Sequence, residues 1–427
     1  MKLVLTGLAL PGLAQYRRGY RVLGRLGLTL TGVVWLSALL VGILAIVSPD
    51  VLVGALLGPG TVWVEVGAAL SGVLWLFLVG HTGVLASREA RQSREVPGGA
   101  HPRIRVVIAL TTTLAVALVG SVVGYTGSAV HTARTALEKV VAAGPAADPV
   151  DGRYNILLLG TDAGPDREGR RTDSISVVSV NAATGHVVFI GLPRELQQIP
   201  LPAASPLRRD WASGVYDCGT DCQLGFLYQR TERFGADEYP DAESQHSSPG
   251  IEAVRDAAEG ALGITLQYYV RVDMHGFEAL IDALGGVEIT VAERLPIGGD
   301  AHGVGVAGWI EPGRQRMDGF TALWYARSRQ STSDYDRMSR QRELESAMLT
   351  QQNPLGVVAR LSEIAGAASG AVSTDVPDGM LARLLELAVR GRGQAAETVE
   401  LVPPRIDVVN PDYGLIRDDV AAALARD

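Results

Sequence analysis

Lysine is almost absent from this chain of 427 residues. Lys2 and Lys139 are the whole complement, so nearly every positive charge is a guanidinium. Cysteine is as rare, and Cys218 and Cys222 are too few to build a disulfide scaffold. The 50 glycines follow no three-residue period, which excludes collagen. Charged residues make up only 20% beside 47% hydrophobic ones, which excludes a disordered chain. A formal net charge of −8 argues against nucleic acid as a partner.

That total conceals an asymmetry. Residues 1–130 hold ten Lys/Arg against four Asp/Glu, whereas residues 131–427 hold 28 against 42. The basic part also contains the long apolar runs. Leu26 to Val47 has no charge and matches the ~20 residues that a helix needs to cross a bilayer. A second run spans Thr61 to Ala86, with Glu65 and His81 near its ends, and a third spans Val106 to Ser128. Arginines sort the loops. Arg17, Arg18, Arg21 and Arg25 precede the first run, none lies between Ser48 and Gly60, and Arg88, Arg91, Arg94, Arg103 and Arg105 precede the third. This alternation predicts three transmembrane helices in the cell membrane, a cytoplasmic N-terminus and an extracellular remainder. Leu3 to Ala14 reads as an interfacial segment rather than a cleaved signal, because Pro11 interrupts it and arginines follow.

Residues 131–152 read as a linker, rich in alanine with Gly144, Pro145 and Pro149. Residues 153–427 suffice for one large domain without internal repeats. Tyr154–Gly160, Ser174–Asn181, His186–Leu192, Thr265–Val272, Val287–Val291 and Thr398–Val402 have the β-branched or apolar character of strands. Helices are expected over Pro249–Leu262, Met274–Leu284, Asp318–Ala326, Arg337–Gln352, Leu355–Ala371 and Pro377–Arg390. Strands interspersed with helices predict an α/β domain, an α-β-α sandwich around a central mixed sheet.

Three stretches bear chemistry. Asp162 leaves the first strand and Asp173 precedes the second, so both carboxylates return to one sheet edge. Two carboxylates there suit Mg²⁺, which retains waters and shares ligands with phosphates. The other reading is that each Asp caps a turn. Arg194 follows Pro193 at the end of the third strand. The densest stretch holds Arg327, Arg329, Arg337, Arg340 and Arg342, five arginines in sixteen residues. Planar guanidinium forks bind phosphate oxygens bidentately. A solvated helix face, or pairing with Asp334 and Asp336, is the alternative.

These stretches occur in an order that resembles the LytR-CpsA-Psr family of cell-wall enzymes. The matching pieces are the strand-GTD of Asn155–Asp162, the RTDS of Arg171–Ser174, the PRE of Pro193–Glu195 and the segment Gly250–Val291. Pro312–Arg329 and Asp334–Glu343 complete the set. The resemblance implies a phosphotransferase at the outer membrane face. Its donor would be a glycopolymer on a polyprenyl (undecaprenyl) pyrophosphate carrier, and its acceptor peptidoglycan. By position, Asp162 and Asp173 would hold Mg²⁺ or Mn²⁺. Arg171, Arg194, Arg327 and Arg329 would clamp the pyrophosphate, with Arg337, Arg340 and Gln341 in the same wall. Asp162, Arg194, Arg327 and Arg329 would be catalytic, and Asp162 or Asp336 would orient or deprotonate the acceptor hydroxyl. A tail pocket would draw on Ile264–Val270 and Phe277–Leu284. A lipid-binding module without turnover and a polyprenyl-pyrophosphate hydrolase use the same residues and stay open.

Two features depart from the family pattern. Glu195 stands where an Asp is usual, and Asp210–Cys218 does not align with the lysine and asparagine usual after the PR motif. Cys218 and Cys222 lie in that odd stretch, and a disulfide is expected for them in an extracellular setting.

Overall fold

The computed structural model describes residues 12–47, 147–162, 172–299, 304–328, 333–351, 360–368 and 370–426, with Val357 and scattered positions between 70 and 85. Met1–Thr132 and Ala133–Asp427 form two compact units.

In the first unit a short helix α1, Leu13–Arg17, precedes the 27-residue helix α2, Arg21–Val47. Gln15 is buried and donates to the Leu78 carbonyl at 2.8 Å and the Thr82 hydroxyl at 3.1 Å. Helix α2 contains the first expected span and exposes Trp35, Leu36 and Leu39. Taken over the described residues alone, no helix is long and apolar enough to cross a membrane. The second expected span is described only at scattered positions, and the third lies outside the described residues.

The second unit is built on a six-stranded sheet. Strands β1 (Arg153–Thr161), β2 (Thr172–Asn181) and β3 (Val187–Gly191) form an antiparallel meander. Their apolar runs are buried on both faces, as central strands require. Two very short strands follow, β4 (Ile199–Pro200) and β5 (Val215–Tyr216), paired with each other. Helices α3 (Leu224–Phe234) and α4 (Pro249–Leu262) come next. Proline opens α4 and Gly263, at φ +72°, ends it. Strand β6 (Tyr268–Asp273) then pairs in parallel with β1, and helix α5 (Met274–Ala283) starts at the Asp273 cap.

An antiparallel pair joins β7 (Val287–Val291) to β10 (Gly313–Met317), and between them β8 (Leu295–Gly298) and β9 (Val306–Ile310) form a hairpin. Helices α6 (Gly319–Arg327), α7 (Asp334–Gln351) and α8 (Leu361–Ala368) precede strand β11 (Val372–Thr374). Helix α9 (Asp378–Arg390), strand β12 (Glu397–Glu400) and helix α10 (Tyr413–Leu424) end the domain. The sheet order is β11-β6-β1-β2-β3-β12, with parallel pairs at β1–β6 and β3–β12. The expected mixed sheet is therefore present.

One sheet face sends Leu157, Val177 and Ile190 into a core with α3, α4 and α10. The opposite face sends Tyr154, Ile156 and Phe189 against Met380 and Leu387 of α9. A third cluster joins α5, α6 and α7 to β7 and β10. The stretch Asp210–Cys218 folds around the β4–β5 pair. Trp211 packs edge-on against Tyr216 at 4.9 Å, with Arg230 over its ring at 5.0 Å. Cys218 and Cys222 are joined by the expected disulfide.

Candidate active site

A cavity of about 500 Å³ opens between the sheet and helices α5, α6 and α7. Its interior is apolar, from Leu158, Val270, Phe277, Leu280, Leu323 and Met348. Val270, Phe277 and Leu280 belong to the two runs expected to line a tail pocket. Leu266 and Tyr269 instead enter the core on the other face. The polar wall of the same cavity holds Asp162, Asp173, Arg327, Arg337 and Gln341.

The backbone explains why both aspartates reach it. Strands β1 and β2 pair Gly160 with Ser174 and Thr161 with Thr172, so Asp173 is the extra residue of a bulge. A bulge re-aims a side chain at the end of a ladder. Asp162 follows immediately on the facing strand. Among the described residues no group of three or more His, Cys, Asp or Glu is placed to hold a metal ion. Two carboxylates match an ion that completes its shell with water and phosphate oxygens, so the donor set fits a shared Mg²⁺ rather than a caged one.

Arg194 ties three segments together. It donates to Asp173 at 2.7 Å, to Glu195 at 2.9 Å and to Asp334 at 3.4 Å. Burial works to lower its pKa, but Asp334, Asp173 and Glu195 raise it on balance, so it stays cationic. Glu195 thus holds the arginine beside it. Asp334 also accepts from the buried Arg337 at 2.8 Å. Arg327 lies over the Trp324 ring, 5.3 Å from its centroid. Gln341 donates to the Ala326 carbonyl at 3.2 Å, and among the described residues its buried Oε1 has no hydrogen-bond partner. Arg171 and Arg329 lie outside the described residues.

Two expected site residues are engaged elsewhere. Arg340 does not line the cavity. It is buried, and it donates to the backbone carbonyls of Tyr325 at 3.0 Å and of Ser328. It pins the end of α6, where carbonyls lack intrahelical donors. Asp336 is no better placed as a base. It accepts from the Ser333 amide and hydroxyl, both at 2.7 Å, while its own amide donates to Ser333 Oγ at 3.1 Å. That is a capping box at the start of α7. Those hydrogen bonds lower the Asp336 pKa and weaken it as a proton acceptor.

Glu345 escaped the sequence reading. It lines the cavity, pairs with Arg342 at 3.0 Å and accepts from Ser176 at 3.3 Å. Burial raises its pKa. The signal was available, since Arg337, Gln341 and Glu345 recur every four residues on one helix face. The arrangement as a whole can hold a phosphate-bearing headgroup at a guanidinium and carboxylate rim while an apolar chain enters the interior.

Comparison with known proteins places the chain in a family. The profile of the LytR_cpsA_psr family matches residues 121–410. The chain is 26% identical over 272 residues to the polyisoprenyl-teichoic acid–peptidoglycan teichoic acid transferase TagU of Halalkalibacterium halodurans, covering 63% of this chain and 76% of that one. It is 26% identical to the cell wall biosynthesis protein LcpA of Corynebacterium glutamicum, covering 53% of this chain and 45% of that one. Among solved structures, Bacillus subtilis TagV aligns at a TM-score of 0.46 and 20% identity, over 64% of this chain and 96% of that one. A LytR-Csp2A-Psr enzyme from Actinomyces oris aligns at 0.44 and 22%, over 67% and 94%. The chain belongs to the LytR_cpsA_psr family.

Proposed function

We propose that this protein transfers a glycopolymer from a polyprenyl-pyrophosphate carrier to peptidoglycan at the outer face of the membrane. The observation that carries this reading is one cavity with an apolar interior and a wall of Asp162, Asp173, Arg327, Arg337 and Gln341. Relatives named as cell-wall transferase and cell wall biosynthesis protein support it. The N-terminal apolar runs and their alternating arginines support a membrane anchor that leaves the domain outside.

In this reading the acceptor hydroxyl oxygen bonds to the phosphorus next to the sugar. The bridging P–O bond breaks, and the lipid phosphate leaves with the electron pair. The hydroxyl proton passes to a base, for which Asp162 is the better placed of the two candidates. Arg194, Arg327 and Arg337 stabilise charge as it develops on the phosphate oxygens. Asp162 and Asp173 would hold Mg²⁺ or Mn²⁺, and that ion would neutralise charge on phosphate oxygens.

The test uses the purified full-length chain in detergent with a polyprenyl-pyrophosphate-linked saccharide and Mg²⁺, with and without a peptidoglycan fragment. Acceptor-dependent release of lipid phosphate, with saccharide on the fragment, is expected. Release that ignores the acceptor makes the protein a hydrolase, and tight lipid binding without release makes it a carrier.

A further inference from the structure

Helix α7 separates two depressions. Arg337, Gln341, Leu344, Glu345 and Met348 face the cavity described above. On its other side Ser339, Arg342, Glu343, Ser346 and Thr350 line a second, open groove of about 690 Å³, closed by residues of β7, β10 and β12. From Ser339 to Thr350 the helix rises about 17 Å, the length of several linked sugar rings.

The groove is polar along its length. Exposed hydroxyls come from Ser339 on α7, Thr290 on β7 and Thr398 on β12, with the half-buried Ser346 between them. Among the described residues these four hydroxyls have no protein hydrogen-bond partner. The floor holds deeper unmet groups. Arg342 is 3% exposed, and among the described residues its Nε and Nη1 make no hydrogen bond, while its other nitrogen binds Glu345. Both carboxylate oxygens of Glu400 are also buried without a hydrogen bond among the described residues, and Arg342 faces them electrostatically. Gly191 leaves them room, since a Cβ there would meet Glu400 Oε2. Buried polar groups without partners destabilise a fold by about 1–3 kcal/mol each. These atoms are closed to solvent, so a polyhydroxylated ligand in the groove would meet the wall hydroxyls above them rather than the floor itself.

Charge narrows the class. The Arg314 guanidinium is engaged by Glu288 at 2.7 Å, and that of Arg342 by Glu345 at 3.0 Å. Glu343 and Glu400 remain, so the groove is neutral to negative. A polyanionic polymer is repelled, and an uncharged or amine-bearing saccharide is not. We propose that this groove binds the glycan strand of the acceptor. The proposal rests on the transferase reading. It places donor lipid and acceptor sugar on opposite sides of α7, whose first turn, with Asp334 and Arg337, belongs to the phosphate rim.

The test titrates the full-length chain with chitotetraose, a linear N-acetylglucosamine tetramer, by saturation-transfer NMR, with a hyaluronan tetrasaccharide as the anionic comparison. Chitotetraose is expected to bind at millimolar affinity or better, and hyaluronan more weakly. Ser346→Trp and Thr398→Arg, which obstruct the groove from two elements, should each weaken chitotetraose by about tenfold or more, a difference of ~1.4 kcal/mol. Polyprenyl phosphate binding should be unchanged in both, which shows that they fold. Absence of chitotetraose binding, equal binding in both variants, or displacement of chitotetraose by polyprenyl phosphate would overturn the proposal. Should the transferase reading alone fail, chitotetraose still binds and no saccharide reaches the fragment.

Discussion

Arg194→Ala is the substitution whose effect follows most directly from the geometry. One guanidinium joins Asp173 on β2, Glu195 in the loop after β3, and Asp334 at the start of α7. Its side chain is 25% exposed and its partners are 20–29% exposed, so solvent screens these pairs only in part. A hydrogen bond to a charged partner contributes about 1.5–3 kcal/mol net. Three bonds made by one group do not add independently. Removing Arg194 also takes from three carboxylates the guanidinium they share. The expected loss is about 3 kcal/mol, or roughly 6–12 °C in Tm for a domain of this size. Arg194→Lys keeps the charge without the planar fork and should recover about half. Thermal unfolding of the purified chain measures both. In a double-mutant cycle, Arg194→Ala with Asp334→Asn should lose less than the two changes summed. An alanine variant that melts with the wild type, or strict additivity in the cycle, would refute the three-way tie.

Other outcomes test other parts of the molecule. Burial pushes the Glu400 carboxyl up to about 7, with Arg342 opposing and Glu345 reinforcing the shift. A raised acid disfavours the folded state once ionised, so the penalty is absent below the unfolded value of ~4.3 and complete above about 7. Glu400→Gln should therefore stabilise the protein by about 2 kcal/mol at pH 8 and leave it unchanged at pH 4, as read by urea unfolding at the two pH values. Breaking the Cys218–Cys222 bridge frees a very small loop, for which chain entropy gives a loss of about 2 kcal/mol. Cys222→Ser should exceed Cys218→Ser, because Cys222 is fully buried; equal losses would place the whole effect in the bridge. Gly319→Ala drives a Cβ into the backbone carbonyl of Glu278, 2.1 Å away, and should destabilise by more than ~1–3 kcal/mol while displacing Arg327 at the far end of α6. Asp173→Ala should sharply raise the Mg²⁺ concentration needed for transfer; an unchanged metal titration would remove Asp173 from the metal site.

Legibility followed physical range. The meander β1–β2–β3 was readable because its strands are buried on both faces and stay apolar throughout. Helices α4 to α6 were readable from local punctuation: Pro249, the glycines after α4 and α5, and the Asp273 and Asp318 caps. Strands β8–β10 were missed because Gly298, Gly299, Gly305, Gly308 and Gly313 dilute their alternation. The bulge at Asp173 depends on how two strands register, which no single segment records. The arginine cluster was legible as a cluster but not in its division of labour. Arg337 and Arg340 are three residues apart, yet one lines the cavity and the other binds carbonyls of α6. That choice is made by the neighbouring helix, not by spacing.

The two outermost strands of the sheet have a consequence for assembly. Strands β11 and β12 occupy opposite edges, yet both come from residues 372–400, near the end of the chain. The four inner strands are all made by Asp273, and they wait with both flanks open until the last quarter of the polypeptide arrives. Open flanks invite pairing with other chains. Completion is a late, long-range event, so folding should be slow relative to local helix formation. A chain cut short before Val372 would expose both flanks at once, and the fault should appear as aggregation rather than as a smaller working domain.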